Sequence, residues 1–299
     1  MFVVANLVLW GALGGWYLFQ PPTRQAEVNR LLGNALDGRK QITAFEVAWD
    51  LWQLYYSDDY VAAVAVGDAT HVYGGTPRVR PGSAAPRVLT NRGYVAGYSD
   101  ELGNPLWAAY RVRDREPAVA PERPDAFAVD RRTVARIGPE VYSRSGYDRG
   151  HLAPNHAIAT RYGAEAQEET FLMSNIIPQT HALNAGLWKQ LEQRIATNYP
   201  ARFGEVWVLA GPVFGPRPQR IRGMVAVPEA CYMIIVDESE GRVRAAGFIF
   251  PQEITEGATL AQFLTSIDEI ERRTGLDFLS ELPDGAEAAL EARTQERAW

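Results

Sequence analysis

The pattern of apolar and polar positions changes character along the chain. From Phe2 to Phe19 the run FVVANLVLWGALGGWYLF holds one strongly polar residue, Asn6, and no charge. As a helix at ~1.5 Å per residue it spans about 27 Å, close to the ~30 Å hydrocarbon core of a bilayer. A cleaved signal peptide would show a basic start and a small-x-small exit, and neither is clear. The expectation is an uncleaved membrane anchor over residues 1–20, with a signal peptide or a buried helix as alternatives. Gln20-Pro21-Pro22 ends it, because proline cannot continue a helix. In AFEVAWDLWQLYY, Phe45, Trp49, Trp52 and Tyr56 fall on one helical stripe, expected to be a packing face. This accessory region, with the loop GGTPRVRPGSAAPR, occupies residues 21–87.

From about residue 88 the pattern is mixed. RGYVAGY and LWAAYRV read as two strands joined by the turn SDELGNP. TFLMSNIIPQ is strand-like, LNAGLWKQLEQRIATNY helical, and VWVLAGPVF, ACYMIIVD and RVRAAGFIF are strands. ATLAQFLTSIDEIERRTG has helical spacing and ends in glycine, as a helix stop should. Strands and helices intermix without a regular βαβ beat, which predicts an α+β fold.

Composition narrows the function. The apolar fraction of 46% and charged fraction of 22% belong to a folded globular protein. A net charge of −6 gives no general attraction for nucleic acid, so a polyanion would need a local basic surface. Of the 30 basic residues only Lys40 and Lys189 are lysines. The guanidinium forks suit bidentate phosphate contacts, although codon bias explains the skew as well. Cys231, the only cysteine, excludes an internal disulfide and a cysteine zinc cluster. Arg24, Arg30, Arg39 and Lys40 follow the apolar segment, which favours a cytoplasmic C-terminal side.

Candidate chemistry centres on DRGHLAPNHA, residues 148–157. It reads as a turn with a satisfied histidine, as a metal site, or as a histidine base beside an arginine that grips phosphate. Histidine, with a free pKa of ~6.5, is neutral yet basic near physiological pH. Downstream, Asn184 and Glu192 are separated by ~800° of helical rotation, about 80° from eclipsed. Both could reach one metal ion or its waters; a helix cap and a solvated glutamate fit the spacing too. Phosphodiester hydrolysis needs an activated water, charge stabilisation at phosphorus and help for the departing alkoxide. A histidine, an arginine and a hydrated Mg²⁺ supply one each. Zinc at His151, His156 and His181 is disfavoured by their loose spacing. No G-x-S-x-G elbow, P-loop or dinucleotide fingerprint is present.

DRGHLAPNHA, then ETFLMSNIIPQ, then LNAGLWKQLE, in this order and spacing, resembles the DNA/RNA non-specific endonucleases, the ββα-metal nucleases that include endonuclease G. The similarity runs through VLAGPVF and FLTSIDEIERRTGLDFLSELPD, covering roughly residues 88–285 and leaving 286–299 as a tail. It implies a mixed or antiparallel central sheet with flanking helices and a ββα-metal motif. By the same resemblance His151 is the general base, Asn184 the direct ligand of Mg²⁺ (Mn²⁺ as a substitute), and Glu192 the holder of a metal-bound water. Asn175 supports the site by hydrogen bonding, Arg149 faces phosphate or braces the motif, and Asp148 is structural. An upstream arginine acts on transition-state charge, with Arg123 the best match and Arg131 or Arg132 the alternatives. The implied partners are DNA and RNA, with the membrane met through residues 2–19. Because a cytoplasmic non-specific nuclease would attack the cell's own nucleic acid, the catalytic domain is expected outside the cytoplasm, against the charge bias. The rival functions are a membrane-tethered nucleic-acid-binding protein without turnover and a phosphodiesterase of narrower range.

Overall fold

Long runs of β-branched and aromatic residues in the second half of the chain build a sheet that is buried on both faces. In this computed structural model residues 11–40, 42–56, 60–62, 71–80, 84–115, 119–239 and 241–299 are described. Two compact units divide the chain, residues 1–58 and 59–299.

The first unit holds α1 (Pro22–Leu36) and α2 (Ala44–Tyr56), which pack on each other. The aromatic stripe expected to pack does not do so uniformly. Phe45 and Trp52 are exposed, and the buried row of α2 is Val47, Asp50 and Gln53, three residues apart. Single exposed aromatics are ordinary, because much of any protein's accessible surface is apolar. Residues 11–18 are helical, while the first half of the expected anchor lies outside the described residues. Among the described residues no helix is long and apolar enough to cross a membrane.

The second unit is built on an antiparallel sheet of β1 (Val61–Ala62), β2 (Arg87–Thr90), β3 (Val95–Ser99), β4 (Asn104–Arg113), β7 (Glu205–Val213), β8 (Ala230–Ser239) and β9 (Arg242–Pro251), in the order β1-β9-β8-β7-β4-β3-β2. A short strand, β10 (Leu264–Thr265), also pairs with β9. Two further strands, β5 (Asp148–His151) and β6 (Ile176–Gln179), form a separate antiparallel ribbon, with α3 (Asn155–Tyr162) and α4 (Ala164–Thr170) between them in the chain. Alternate residues of the long strands feed two cores. Tyr110, Val208, Met233 and Phe248 face one side, against Leu183, Trp188, Leu191 and Ile195 of a long helix over residues 181–203. Trp107, Leu209, Ile234 and Val243 face the other, against α5 (Ile267–Thr274) and α6 (Asp284–Glu291). Burial on both faces explains why ACYMIIV is continuously apolar and why Cys231 is inaccessible.

Three local expectations change. Of TFLMSNIIPQ only Ile176–Gln179 is strand, because Met173–Asn175 forms a tight helical turn. ATLAQFLTSIDEIERRTG is two helical pieces, because it has two caps: Thr259 starts the turn Leu260–Phe263 and Ser266 starts α5. The edges of the second unit also lie outside 88–285. Tyr73 packs on Trp207, Arg78–Val79 pairs with Leu276–Asp277, and Trp299 is buried beside Tyr199 and Phe203.

Candidate active site

The β5–β6 ribbon followed by the long helix is a ββα unit set on one face of the main sheet. Its glycine is required by packing: a Cβ at Gly150 would lie 2.0 Å from Gln179 Oε1, and Gln179 is fully buried. The helix start is tied to the sheet through Gln252, which accepts from Thr180 N and donates to Pro178 O and Pro228 O. Thr180 also caps the helix by accepting from Leu183 N.

The long helix is not regular. Over Asn184–Trp188 it widens to i→i+5 hydrogen bonding, with Gly186 off the helical basin (φ −98°, ψ −115°). A second wide turn covers Arg194–Asn198. The rotation worked out from a regular helix therefore does not describe how Asn184 and Glu192 are related. Wide turns of this kind concentrate at functional sites.

His151, Asn184, Glu192, Arg123 and Arg149 all line one cleft of about 770 Å³, together with Asn155, His156 and Lys189. Asn184 donates from Nδ2 to Asp148 Oδ2 at 3.0 Å. A carboxylate only accepts, so this contact fixes the amide's orientation and leaves Oδ1, a neutral hard donor, for the cleft. The same Asp148 oxygen meets His181 Nδ1 at 2.8 Å, so Asp148 holds both the helix start and its amide. Glu192 Oε1 accepts from Trp188 Nε1 at 3.0 Å. Burial pushes the Glu192 pKa up to about 8, against that hydrogen bond. An amide oxygen and a carboxyl group on one wall suit a hydrated divalent cation, whose charge would favour the ionised carboxylate.

His151 is half-buried, held against Phe127 and Phe171 with ring centroids 5.5 and 5.2 Å away. Its backbone carbonyl accepts from Trp188 Nε1 at 3.2 Å. Burial pushes the imidazole pKa down to about 3, and the Arg123 charge adds to that. The ring is thus neutral throughout the physiological range. Asn175 is fully buried; its amide accepts from Ala153 N and donates to Ala153 O and Thr170 O, at 2.9, 2.9 and 3.0 Å.

Arg149 braces the motif through Nη2 on Pro139 O (2.8 Å), lies over Phe127 and lines the cleft, with its Nε enclosed. Arg123 sits 5.2 Å over the Phe171 ring. Its segment is pinned there by the Ala128–Leu172 bridge, with Met173 N donating to Ala128 O. Arg132, one alternative to Arg123, is excluded from the cleft: it binds Asp130, Asn91 Oδ1 and Thr90 O. Arg131 does not line the cleft either. Histidines do not cluster for a metal, as the one His/Cys/Asp/Glu group with ligand spacing among the described residues contains no histidine. The sequence reading missed Phe127, Phe171 and Lys189. Lys189 was the findable one, five residues after Asn184 on the same helix.

Residues 76–285 match the sequence profile of a family described as DNA/RNA non-specific endonuclease. The chain is 31% identical over 232 residues to a nuclease of Nostoc sp. (strain PCC 7120), covering 71% of this chain and 83% of that protein. It is 29% identical over 220 residues to human mitochondrial endonuclease G, covering 67% and 71%. A chain in the crystal structure of the EndoG/EndoGI complex superposes with a TM-score of 0.60 at 26% identity, covering 67% of this chain and 88% of that one.

Proposed function

The chain belongs to the DNA/RNA non-specific endonuclease family, and from that premise we propose that it is a Mg²⁺-dependent endonuclease cutting DNA and RNA with His151 as general base. That it is a nuclease follows from the family; the cation, the base and the substrates are our reading. The observation that carries it is the meeting of His151 and Asn184 on the wall of one cleft with Arg123, Arg149 and Lys189. A chain of net charge −6 concentrates cationic groups there, as a polyanionic substrate requires.

In this mechanism neutral His151 removes a proton from the attacking water as its oxygen bonds to phosphorus and the opposite P–O ester bond breaks. The aromatic walls of Phe127 and Phe171 hold the ring in place. Arg123 and Lys189, with the outer part of Arg149, offset the charge that builds on the phosphoryl oxygens. Asn184 Oδ1 would hold the cation directly, with Asp148 fixing the amide, and Glu192 would hold one of its waters. When bound, Mg²⁺ supplies Lewis-acid stabilisation at phosphorus and at the departing oxygen. Asn175 fixes the Ala153 backbone just beyond His151.

Residues 2–19 would tether the enzyme to a membrane, with the catalytic unit outside the cytoplasm and residues 21–87 as an accessory region. The test is nicking of supercoiled plasmid and of RNA with Mg²⁺, with EDTA, and with His151→Ala. Cutting of both substrates, lost in EDTA and in the variant, supports the reading. Turnover by His151→Ala removes the base, and binding without nicking in the wild type removes the enzyme.

A further inference from the structure

Two stretches beside the β5–β6 ribbon, residues 130–149 and 214–228, carry eight arginines, three acids and no lysine or histidine, a formal charge of +5 in a chain of −6. A satellite core joins them into one lobe. Ile137, Val141 and Tyr142 of the first pack with Ile221 and Val225 of the second, and with Ile176, the strand partner of His151. In the second stretch Arg220–Ile221 and Val225–Ala226 form a short hairpin. Arg222 Nη2 fastens it to Ser143 O at 3.2 Å, and Arg220 Nη1 to Glu101 O at 2.9 Å. Two of the three acids are occupied, Asp130 by Arg132 and Asp148 by Asn184 and His181. Of the other acids here, Asp100 accepts from Arg87, Val134 N and Ala135 N, while Glu101 and Glu140 are exposed. Six of the arginines, Arg131, Arg136, Arg144, Arg217, Arg220 and Arg222, are exposed and make no ion pair among the described residues. Elsewhere the exposed Arg87, Arg92, Arg113 and Arg272 each meet a carboxylate. Arg136, Arg144 and Arg222 also have φ of 43°, 60° and 49°, the left-handed region that glycine fills without crowding its Cβ. Three strained turns of one lobe therefore each present a guanidinium to solvent.

A cleft of about 770 Å³ has the capacity of a small-molecule pocket, so a polynucleotide held there at its scissile phosphate runs out over the surface. The lobe borders that exit, because Arg149 both lines the cleft and bonds Pro139 O within the lobe. Guanidiniums without carboxylate partners match phosphate oxygens in charge and geometry, and phosphate contacts carry no base information. We infer that these six arginines form a second contact surface for nucleic acid, outside the cleft, that holds backbone phosphates beyond the scissile one. The inference rests on the nuclease reading and adds a preference for long polynucleotides over oligonucleotides that end within the cleft. Two modest sites on one polymer reinforce each other, since occupancy of the first raises the local concentration at the second.

The test compares the full chain with the triple variant Arg136→Gly/Arg144→Gly/Arg222→Gly, on linearised plasmid and on a tetranucleotide carrying a fluorophore and a quencher. Glycine suits a left-handed backbone, so the triple should melt within about 3 °C of wild type. Its kcat/KM on plasmid should fall at least about tenfold, while cleavage of the tetranucleotide stays within about twofold. For duplex binding in EDTA, three lost phosphate contacts should lower the slope of log Kd against log salt by about 2–3. Arg136→Lys/Arg144→Lys/Arg222→Lys, which keeps the charge, should recover most of the duplex affinity. An unchanged duplex affinity and salt slope, or an equal loss on both substrates, overturns the surface while the nuclease reading stands. So does a triple that loses binding to phosphatidylserine vesicles but keeps its grip on duplex, which would assign the lobe to a membrane. A wild type that cuts neither substrate removes the nuclease reading and this inference together. Should the glycine triple fail to fold, Arg131→Ala/Arg217→Ala, outside the left-handed turns, decides by the same measurements.

Discussion

Asn175→Ala isolates the part of the site that works through position. The Asn175 amide makes three hydrogen bonds, to Ala153 N, Ala153 O and Thr170 O, and all three residues are fully buried. Truncation strands one N–H and two carbonyls where bulk water does not reach. Each such loss costs about 1–3 kcal/mol, and partial relaxation or an entering water brings the total to roughly 3–5 kcal/mol. Against a typical stability of about 5–15 kcal/mol the variant still folds, but Tm should fall by roughly 6–15 °C. The released backbone is Ala153, two residues from His151, so nicking at 25 °C should fall at least about tenfold beyond the loss of folded protein. Asn175→Asp sharpens the point. It keeps the acceptor for Ala153 N but sets a carboxylate against two carbonyl oxygens, so at neutral pH it should be no better than alanine. Melting curves and plasmid nicking on the same preparations give both readouts. A variant that melts within about 2 °C of wild type and nicks at the wild-type rate would refute the reasoning.

Asp148→Asn and Asn184→Ala should both shift the Mg²⁺ requirement to higher concentration, the first because an amide no longer dictates which way Asn184 faces; metal titrations of nicking check this, and a shift in only one variant separates the two residues. With its pKa at about 8, Glu192 is protonated near neutrality without metal, so at limiting Mg²⁺ activity should rise with pH up to about 8. Saturating Mg²⁺ should move that rise to lower pH, and Glu192→Gln should abolish the displacement; a pH profile indifferent to Mg²⁺ would count against the role. The same shift affects stability. The folded chain binds the Glu192 proton more tightly than the unfolded chain (pKa ~4.3), so this group's contribution is full below about 4.3 and is lost as pH rises to about 8. Glu192→Gln should therefore flatten the fall in Tm across that window in EDTA. Substrate binding should weaken steeply with salt, and a flat response in a filter-binding titration would argue against phosphate contacts.

Part of the cleft could be anticipated from residue order: Arg149, His151, Asn184 and Glu192, read as one set in the sequence, line one cavity, and the apolar runs marked the long strands because doubly buried strands need no polar alternation. What could not be read lies in contacts between distant segments. Arg123 and Arg132 look equivalent in sequence. Only the Ala128–Leu172 bridge sets the first over Phe171 beside His151, while Asp130 and Asn91 draw the second away. Regular-helix arithmetic for Asn184 and Glu192 failed because the wide turn at Asn184–Trp188 changes the rotation between them. The aromatic stripe of α2 misled because periodicity shows which residues share a face, not whether that face is covered.

The sequence by itself determined the fold class, the chain order of the chemistry and the family, since those depend on local pattern and on residue types at fixed intervals. Tertiary structure alone decided which groups share the cleft, the depressed pKa of His151 and the raised one of Glu192. Desolvation and Coulomb interaction depend on distance and enclosure in space, and separation along the chain records neither.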